Sequence, residues 1–301
     1  MSDTIQQDDL MTQLLASHPN VGRLAWFTVD DGLIDQNQWI NGLMQAGLTA
    51  YGKPQGIPST TAYLRGLRAM QSAATPRTLI RRVERERGRT VHHWIEESIQ
   101  GGQVQFRPIA AITRGVARDT KFDTISIQRL DHLTGSEDEA LAKLTEFVDT
   151  AQHTYTPGDR RRQIRSWFAG VGALQMAHAG PMQFVPETAV GLIDALAQVQ
   201  DTLGVHVWSM PLARSGDVIG TLTQSLDAEV TKKTAALLKN VQSAREAGKT
   251  PTTGQQAKLV QQLKELDARV QRYSGLFGGQ LDNLTSQIDI ARQAVRGALG
   301  A

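Results

Sequence analysis

TPRTLIRRVERERGRTVHHWIEES, Thr75 to Ser98, can be read with either of two periods, and the choice decides the fold. As a helix it aligns Arg77, Arg81 and Arg85 on one side, the pattern of a helix that enters a DNA groove. As strands it alternates Leu79, Arg81, Val83 and Arg85 against Ile80, Arg82, Glu84 and Glu86, with β-branched residues frequent. Context selects strands. ERGR at Glu86 to Arg89 has the character of a tight turn, TVHHWIEESI continues as a second β-like run, and QGGQ is a second turn. VQFRPIAAITRGV and, after ARDT, KFDTISIQRL supply two further strands. Four strands joined by short turns predict an antiparallel meander with one face under helices and the other wet. In that register Arg81, Arg85 and Arg87 share a face with Leu79 and Val83, while Glu84 and Glu86 share the other with Arg82.

On the N-terminal side, Arg23 to Val29 reads as a short strand. Asp35 is placed to cap a helix with Trp39, Ile40, Leu43 and Met44 on one face, and Ser59 to cap a second carrying Tyr63, Leu64, Leu67 and Met70. On the C-terminal side, SEDEALAKLTEFVDTAQ predicts one helix opened by Ser136 and Glu139 at capping-box spacing. TPGDRRRQIRSWFAGVGALQMAHAG predicts another, from Pro157 to near Gly180. PMQFVP and VHVWSMPL read as short strands on either side of the helix ETAVGLIDALAQVQDTLG, placed to pair with each other as a ribbon.

The last third carries the strongest period. Ile219, Leu222, Leu226, Val230, Leu237, Val241 and Ala244 recur at threes and fours. After a turn, Leu259, Leu263, Leu266, Val270, Tyr273 and Phe277 step as a heptad, Gly278 and Gly279 interrupt, and Leu281, Leu284, Ile288, Ala291 and Val295 resume. The expectation is an antiparallel helical hairpin with a kinked or broken second arm. The fold class is therefore α+β: a four-stranded antiparallel meander packed with helices over 1–212, then a coiled-coil-like helical hairpin over 213–301. Leu259, Leu263, Leu266, Val270, Leu281, Leu284 and Ile288 are the residues expected to join copies of the chain.

Composition bounds the function. Hydrophobic residues at 40% and charged residues at 21% are those of an ordinary folded protein, and the net charge of +2 gives no whole-chain pull toward nucleic acid. The absence of cysteine removes thiolate nucleophiles, disulfides and cysteine-ligated metals. No run of about 18 apolar residues is present to span a membrane, and the acidic opening is unlike a secretory signal, so a cytoplasmic location is expected. Gly248-Lys249-Thr250 looks like the tail of a phosphate-binding loop, but Ser243 stands where that loop needs glycine. His92 and His93, adjacent on a strand, point to opposite faces and cannot share a metal. No cofactor or metal is expected.

Arginine outnumbers lysine 23 to 9, and arginine suits planar, bidentate phosphate recognition. The candidate nucleic-acid contacts are Arg81, Arg82, Arg85, Arg87 and Arg89, with Arg160, Arg161, Arg162 and Arg165, and with Trp94, Phe106 or Phe122 to stack bases. The competing reading is a solvated surface in which Glu84, Glu86, Glu96 and Glu97 neutralise those arginines. The functional expectation is a non-enzymatic assembly protein that oligomerises through its C-terminal helices and contacts DNA or RNA. The rivals are a metal-dependent nucleic-acid-processing enzyme with dispersed carboxylates, and an adaptor for a partner ATPase.

Several features together resemble an uncharacterised family of bacterial and phage proteins. They are the early strand and helix, the loop GIPSTTAYLRGLRAM, the strand start LIRRV, the arginine-led helix DRRRQIRSWFAGVGALQMAHAG, and the helical tail. After Gly180 the aromatic-Val-Pro strand Phe184-Val185-Pro186 follows that helix, as in the family, although AGPMQFVP lacks the second glycine and further aromatic more usual there. The resemblance runs from about Val21 to Gly204. It implies an accessory role on mobile or phage-related loci, and it carries no activity and no catalytic residues.

Overall fold

The computed structural model describes residues 20–301 except 75–76, 87, 117–122, 178–179, 247–251, 278–280 and 300–301. In chain order the elements are β1 (Asn20–Val29), β2 (Ile34–Asp35), α1 (Gln36–Gln45), α2 (Ser59–Ala73), β3 (Thr78–Glu86), β4 (Arg89–Gln100), β5 (Gln103–Val116) and β6 (Asp123–Arg129). There follow α3 (Gly135–Ala142), α4 (Leu144–His153), β7 (Thr154–Tyr155), α5 (Pro157–Gly170), β8 (Leu174–Gln175) and β9 (Gln183–Pro186). The chain ends with α6 (Gly191–Gln198), α7 (Gln200–Leu203), β10 (Val205–Ala213), α8 (Gly216–Glu246), α9 (Thr253–Phe277) and α10 (Asp282–Leu299). Described residues within Asp31–Ile40 and Pro54–Asp159 form one compact unit, and those within Met1–Asp30, Asn41–Lys53 and Arg160–Ala301 form another. The division expected at 212/213 is replaced by this interleaved one.

The Pro54–Asp159 unit contains the expected meander, β3-β4-β5-β6, antiparallel throughout. Gly101 and Gly102 have φ of 59° and 80°, the left-handed pair that a two-residue hairpin turn demands, so β4 and β5 pair up to Gln100 and Gln103. α2, α3 and α4 cover one face. Tyr63, Leu67 and Met70 of α2 meet Trp94, Ile109, Ala110 and Ile112 of the sheet, with Ala140, Leu141 and Leu144 completing the core. α2 and α4 lie close because residue 66 is glycine: a Cβ there would stand 2.3 Å from a methyl of Val148.

Helix ends are where local expectation and structure part. Asp35 caps α1 as expected, its Oδ1 accepting from the Asn37 and Gln38 amides. Ser59 is instead the first residue of α2, behind Pro58, and its hydroxyl is used elsewhere. The expected single helix after residue 136 is two, α3 and α4, broken at Lys143, and the capping box is Thr134 with Glu137 rather than Ser136 with Glu139. Both pairs have the required spacing, and Glu137 wins because it is buried beneath the helix end. Thr156 and Asp159 open α5 reciprocally, and Asp159 also accepts from Arg65 at 2.7 Å. Burial pushes the Asp159 carboxyl up, but Arg65 and Thr156 together hold it below the ordinary aspartate range.

In the other unit the sheet order is β10-β1-β9-β8. The two short strands expected to pair with each other both pair with β1, which runs between them. The physical reason is in β1: LAWFTV is apolar on both faces, which suits a central strand that needs a neighbour on each edge. α5 ends at Gly170 and not near Gly180, since residues 174–175 are drawn into that sheet as β8.

The C-terminal heptads form α8, the first arm, and α9 and α10, the two pieces of the expected broken second arm. Their apolar positions close on one another and on the sheet. Leu222, Leu226 and Val230 share a core with Leu263, Leu266, Val270, Leu284 and Ile288, and that core includes Val21, Leu174, Met176 and Phe184. Tyr273 lies between Phe184 and Phe277, with ring centroids 6.2 and 5.3 Å away, and donates to the Gly172 carbonyl at 2.6 Å. Leu263, Leu266, Val270, Leu281, Leu284 and Ile288, expected to join copies, are thus buried inside one chain, with Leu259 partly so. A heptad records that an apolar seam is covered, not whether the cover comes from the same chain.

Candidate anion-binding site

A bulge at Val83 builds the site. Up to Arg82 the register sets Ile80 beside Trp94 and Arg82 beside His92; beyond Val83 it sets Glu84 beside Val91 and Arg85 beside Thr90. One inserted residue exchanges the two faces of the strand. Arg82 and Arg85 therefore share the helix-covered face with Thr90, His92 and Trp94, Arg81 lies on the other face with Glu84, and Glu86, at the strand's end, reaches the rim of the cleft. The expected grouping, Arg81 with Arg85 and Val83 against Arg82 with the glutamates, is corrected: strict alternation fails where the strand carries an extra residue. Arg87 lies outside the described residues.

β5 contributes a residue that the sequence reading missed. Arg114 stands beside Thr90 in the register, on the same face as Ala110 and Ile112, and is only 9% exposed. Its Nη2 donates to the Ser59 hydroxyl at 3.1 Å, and its guanidinium carbon lies 5.9 Å from the centroid of the Tyr63 ring. The signal was present: in AAITRGV the arginine continues an alternating apolar face, where a charge has to be held by something. Arg82, Arg85, Arg114, His92 and Tyr63 line a cleft of about 300 Å³, with the first turns of α2 on one side and the β3–β4 turn on another.

The charge in this cleft is carried by guanidinium groups. The Tyr63 hydroxyl is 3.1 Å from His92 Nδ1 and 3.3 Å from the Ile112 carbonyl, so it can donate to the carbonyl while accepting from an Nδ1-protonated imidazole. Burial pushes the Tyr63 hydroxyl up, against the opposing pull of Arg114. Burial first, and then the charge of Arg82, hold His92 below the ordinary imidazole value. His92 is thus neutral in the folded state where an unfolded histidine begins to charge. The stability this contributes is complete above about pH 6.5 and is lost as pH falls through the folded value. Denaturant melts are expected to show that loss between neutral and mildly acidic pH, and His92→Gln to flatten it. A wild-type slope unchanged by the substitution would contradict the assignment.

The other candidate arginines separate by role. Arg89 lines the cleft and pairs with Glu84 at 3.2 Å. Arg81 lies over the exposed ring of Phe106, 5.0 Å from its centroid, on the opposite face of the sheet. Trp94 is fully buried and cannot stack a base, and Phe122 lies outside the described residues. Arg160 is 4% exposed and donates to the carbonyls of Leu203 and Asp30; Arg161 donates to that of Val29. Those two hold backbone together. Arg162 is exposed, and exposed Arg165 borders a separate cavity of about 550 Å³ between α5, β8 and α8. Two of the cations lining that cavity, Arg269 and Lys233, both pair with Glu229. The Gly248-Lys249-Thr250 turn falls outside the described residues.

Among the described residues no group of three or more His, Asp or Glu side chains is arranged to hold a metal, and no helix is long and apolar enough to cross a membrane. Fold and site together define an α+β protein with an antiparallel meander, a helix-bearing second sheet and a basic cleft. The chain belongs to a family of unknown function, DUF6744, whose model matches residues 20–301. The expected kinship with an uncharacterised family holds, and the match continues past Gly204 through the C-terminal helices. No curated protein and no solved structure matches the chain.

Proposed function

We propose that this protein binds nucleic acid through phosphate contacts in the cleft of the Pro54–Asp159 unit, acting as a binding protein rather than an enzyme. The observation that carries the reading is the bulge at Val83, which sets Arg82 and Arg85 on one face with Arg114. Arg82 and Arg85 are exposed and have no ion-pair partner among the described residues, whereas Arg89, Arg107 and Arg129 are paired. Unpaired guanidinium groups held at the rim of a cleft are available to phosphate oxygens without first breaking a bridge.

The assembly reading has less support, because the leucines expected to carry it are used within the chain. Binding of a labelled single-stranded oligonucleotide, followed by fluorescence anisotropy over a salt series, tests the proposal. Arg82→Ala with Arg85→Ala is expected to weaken binding about tenfold or more and to reduce the salt slope by roughly one to two charges. Equal affinity and slope in wild type and double variant would overturn it. Cleavage that depends on a divalent cation would move the reading to the enzyme class.

A further inference from the structure

We infer that the Arg82–Arg85–Arg114 cleft holds a phosphate monoester, a terminal dianionic group, in preference to the internal phosphodiester of a strand. The inference rests on the nucleic-acid reading for its site and goes beyond it in naming the group recognised. Arg114 lies deepest, nine-tenths buried, with its guanidinium fixed between the Ser59 hydroxyl and the Tyr63 ring. Arg82 and Arg85 stand nearer solvent on the neighbouring strand. A group that engages all three has to enter the cleft and present several oxygens in different directions. An internal phosphodiester has two free oxygens and one negative charge; a monoester has three and nearly two.

The charge and donors of the cleft fit the second. Among the described lining residues, Arg82 and Arg85 stand beside one carboxylate, Glu86, while Arg89 is tied to Glu84. α2 adds donors without adding charge. It begins behind Pro58, whose side chain cannot accept from the first-turn amides, and its opening residues STTAY contain no acid. The amides of Ser59 and Thr60 precede the first helical hydrogen bonds, which run from Thr61 and Ala62 to the Pro58 carbonyl. Thr60 is itself part of the cleft wall. A fifteen-residue helix thus sets its positive end beside the arginines, where a dianion gains most from it. At about 300 Å³ the cleft has room for the phosphate and the sugar that carries it.

The monoester could be the 5′ end of a nucleic acid or a free phosphorylated metabolite, and one set of measurements separates them. Full-length protein is titrated against two 3′-labelled oligonucleotides of one sequence, with a 5′-phosphate and with a 5′-hydroxyl, and against glycerol phosphate by calorimetry. The expected result is about tenfold or tighter binding of the 5′-phosphate strand. Arg82→Gln and Arg85→Gln should abolish that difference while leaving the thermal melt unchanged. Glycerol phosphate bound through the same arginines, with neither strand bound, would sustain the monoester site, assign it to a metabolite and remove the nucleic-acid reading. Equal, Arg82-dependent affinity for both strands would overturn the monoester inference and leave that reading standing. If neither strand nor glycerol phosphate binds, both fall.

Discussion

Removal of Leu259–Ala301 is expected to unfold the unit that contains β1, not to release an intact monomer from an oligomer. The segment supplies Leu263, Leu266, Val270, Tyr273, Phe277, Leu284 and Ile288 to a core shared with Val21, Leu174 and Phe184. Burying each such side chain contributes about 2 kcal/mol. Losing the set removes about 14 kcal/mol, as much as the roughly 5–15 kcal/mol by which a domain is ordinarily stable. The truncated chain should lose its cooperative melt for that unit and give poorly dispersed amide resonances. Phe277→Ala is the graded form, expected to cost about 3 kcal/mol because the ring stacks on Tyr273 in a closed core. A truncated protein of lower mass that still melts cooperatively would show that the leucines join chains.

Arg160→Ala should destabilise the same unit by about 3 kcal/mol, since two carbonyls, those of Asp30 and Leu203, lose a charged donor in a buried setting. Oligonucleotide affinity, measured below the melting transition, should be unchanged. Arg82→Ala predicts the reverse pattern: little change in the melt and a large loss of affinity. Chemical denaturation and anisotropy on the two variants therefore separate arginines that hold backbone from arginines that face a ligand. Weakened binding by Arg160→Ala with an unaltered melt would return Arg160 to the ligand-facing set.

Much of the fold was legible because it rests on local period and turn chemistry. The alternation from Leu79 to Arg82, the Gly101-Gly102 turn and the cap at Asp35 each act within a few residues, and each stands where the sequence reading places it, whereas the alternation is interrupted at Val83. The candidate site was half legible. Arg82, Arg85 and Arg89 are conspicuous in the sequence, but their grouping depends on one bulged residue that no pattern of residue types announces, and Arg114 reaches them from a strand that begins 14 residues after β4 starts, at Gln103. Arg160 shows the same limit from the other side. A run of arginines on a helix looks like a basic surface until the helix is docked, and then one side of that run is turned inward toward carbonyl groups.

By itself the sequence determined the four strands of the meander and most of the helices, that the C-terminal third carries an apolar seam in heptad steps, and that cysteine chemistry is absent. These follow from backbone periodicity and side-chain type, which are properties of short stretches. Only the tertiary structure decided which strands flank β1, that the seam is covered from within the chain, and which arginines face a cleft and which face carbonyls. Those outcomes depend on which distant groups meet, because burial and the compensation of a buried charge are properties of a neighbourhood and not of a position along the chain.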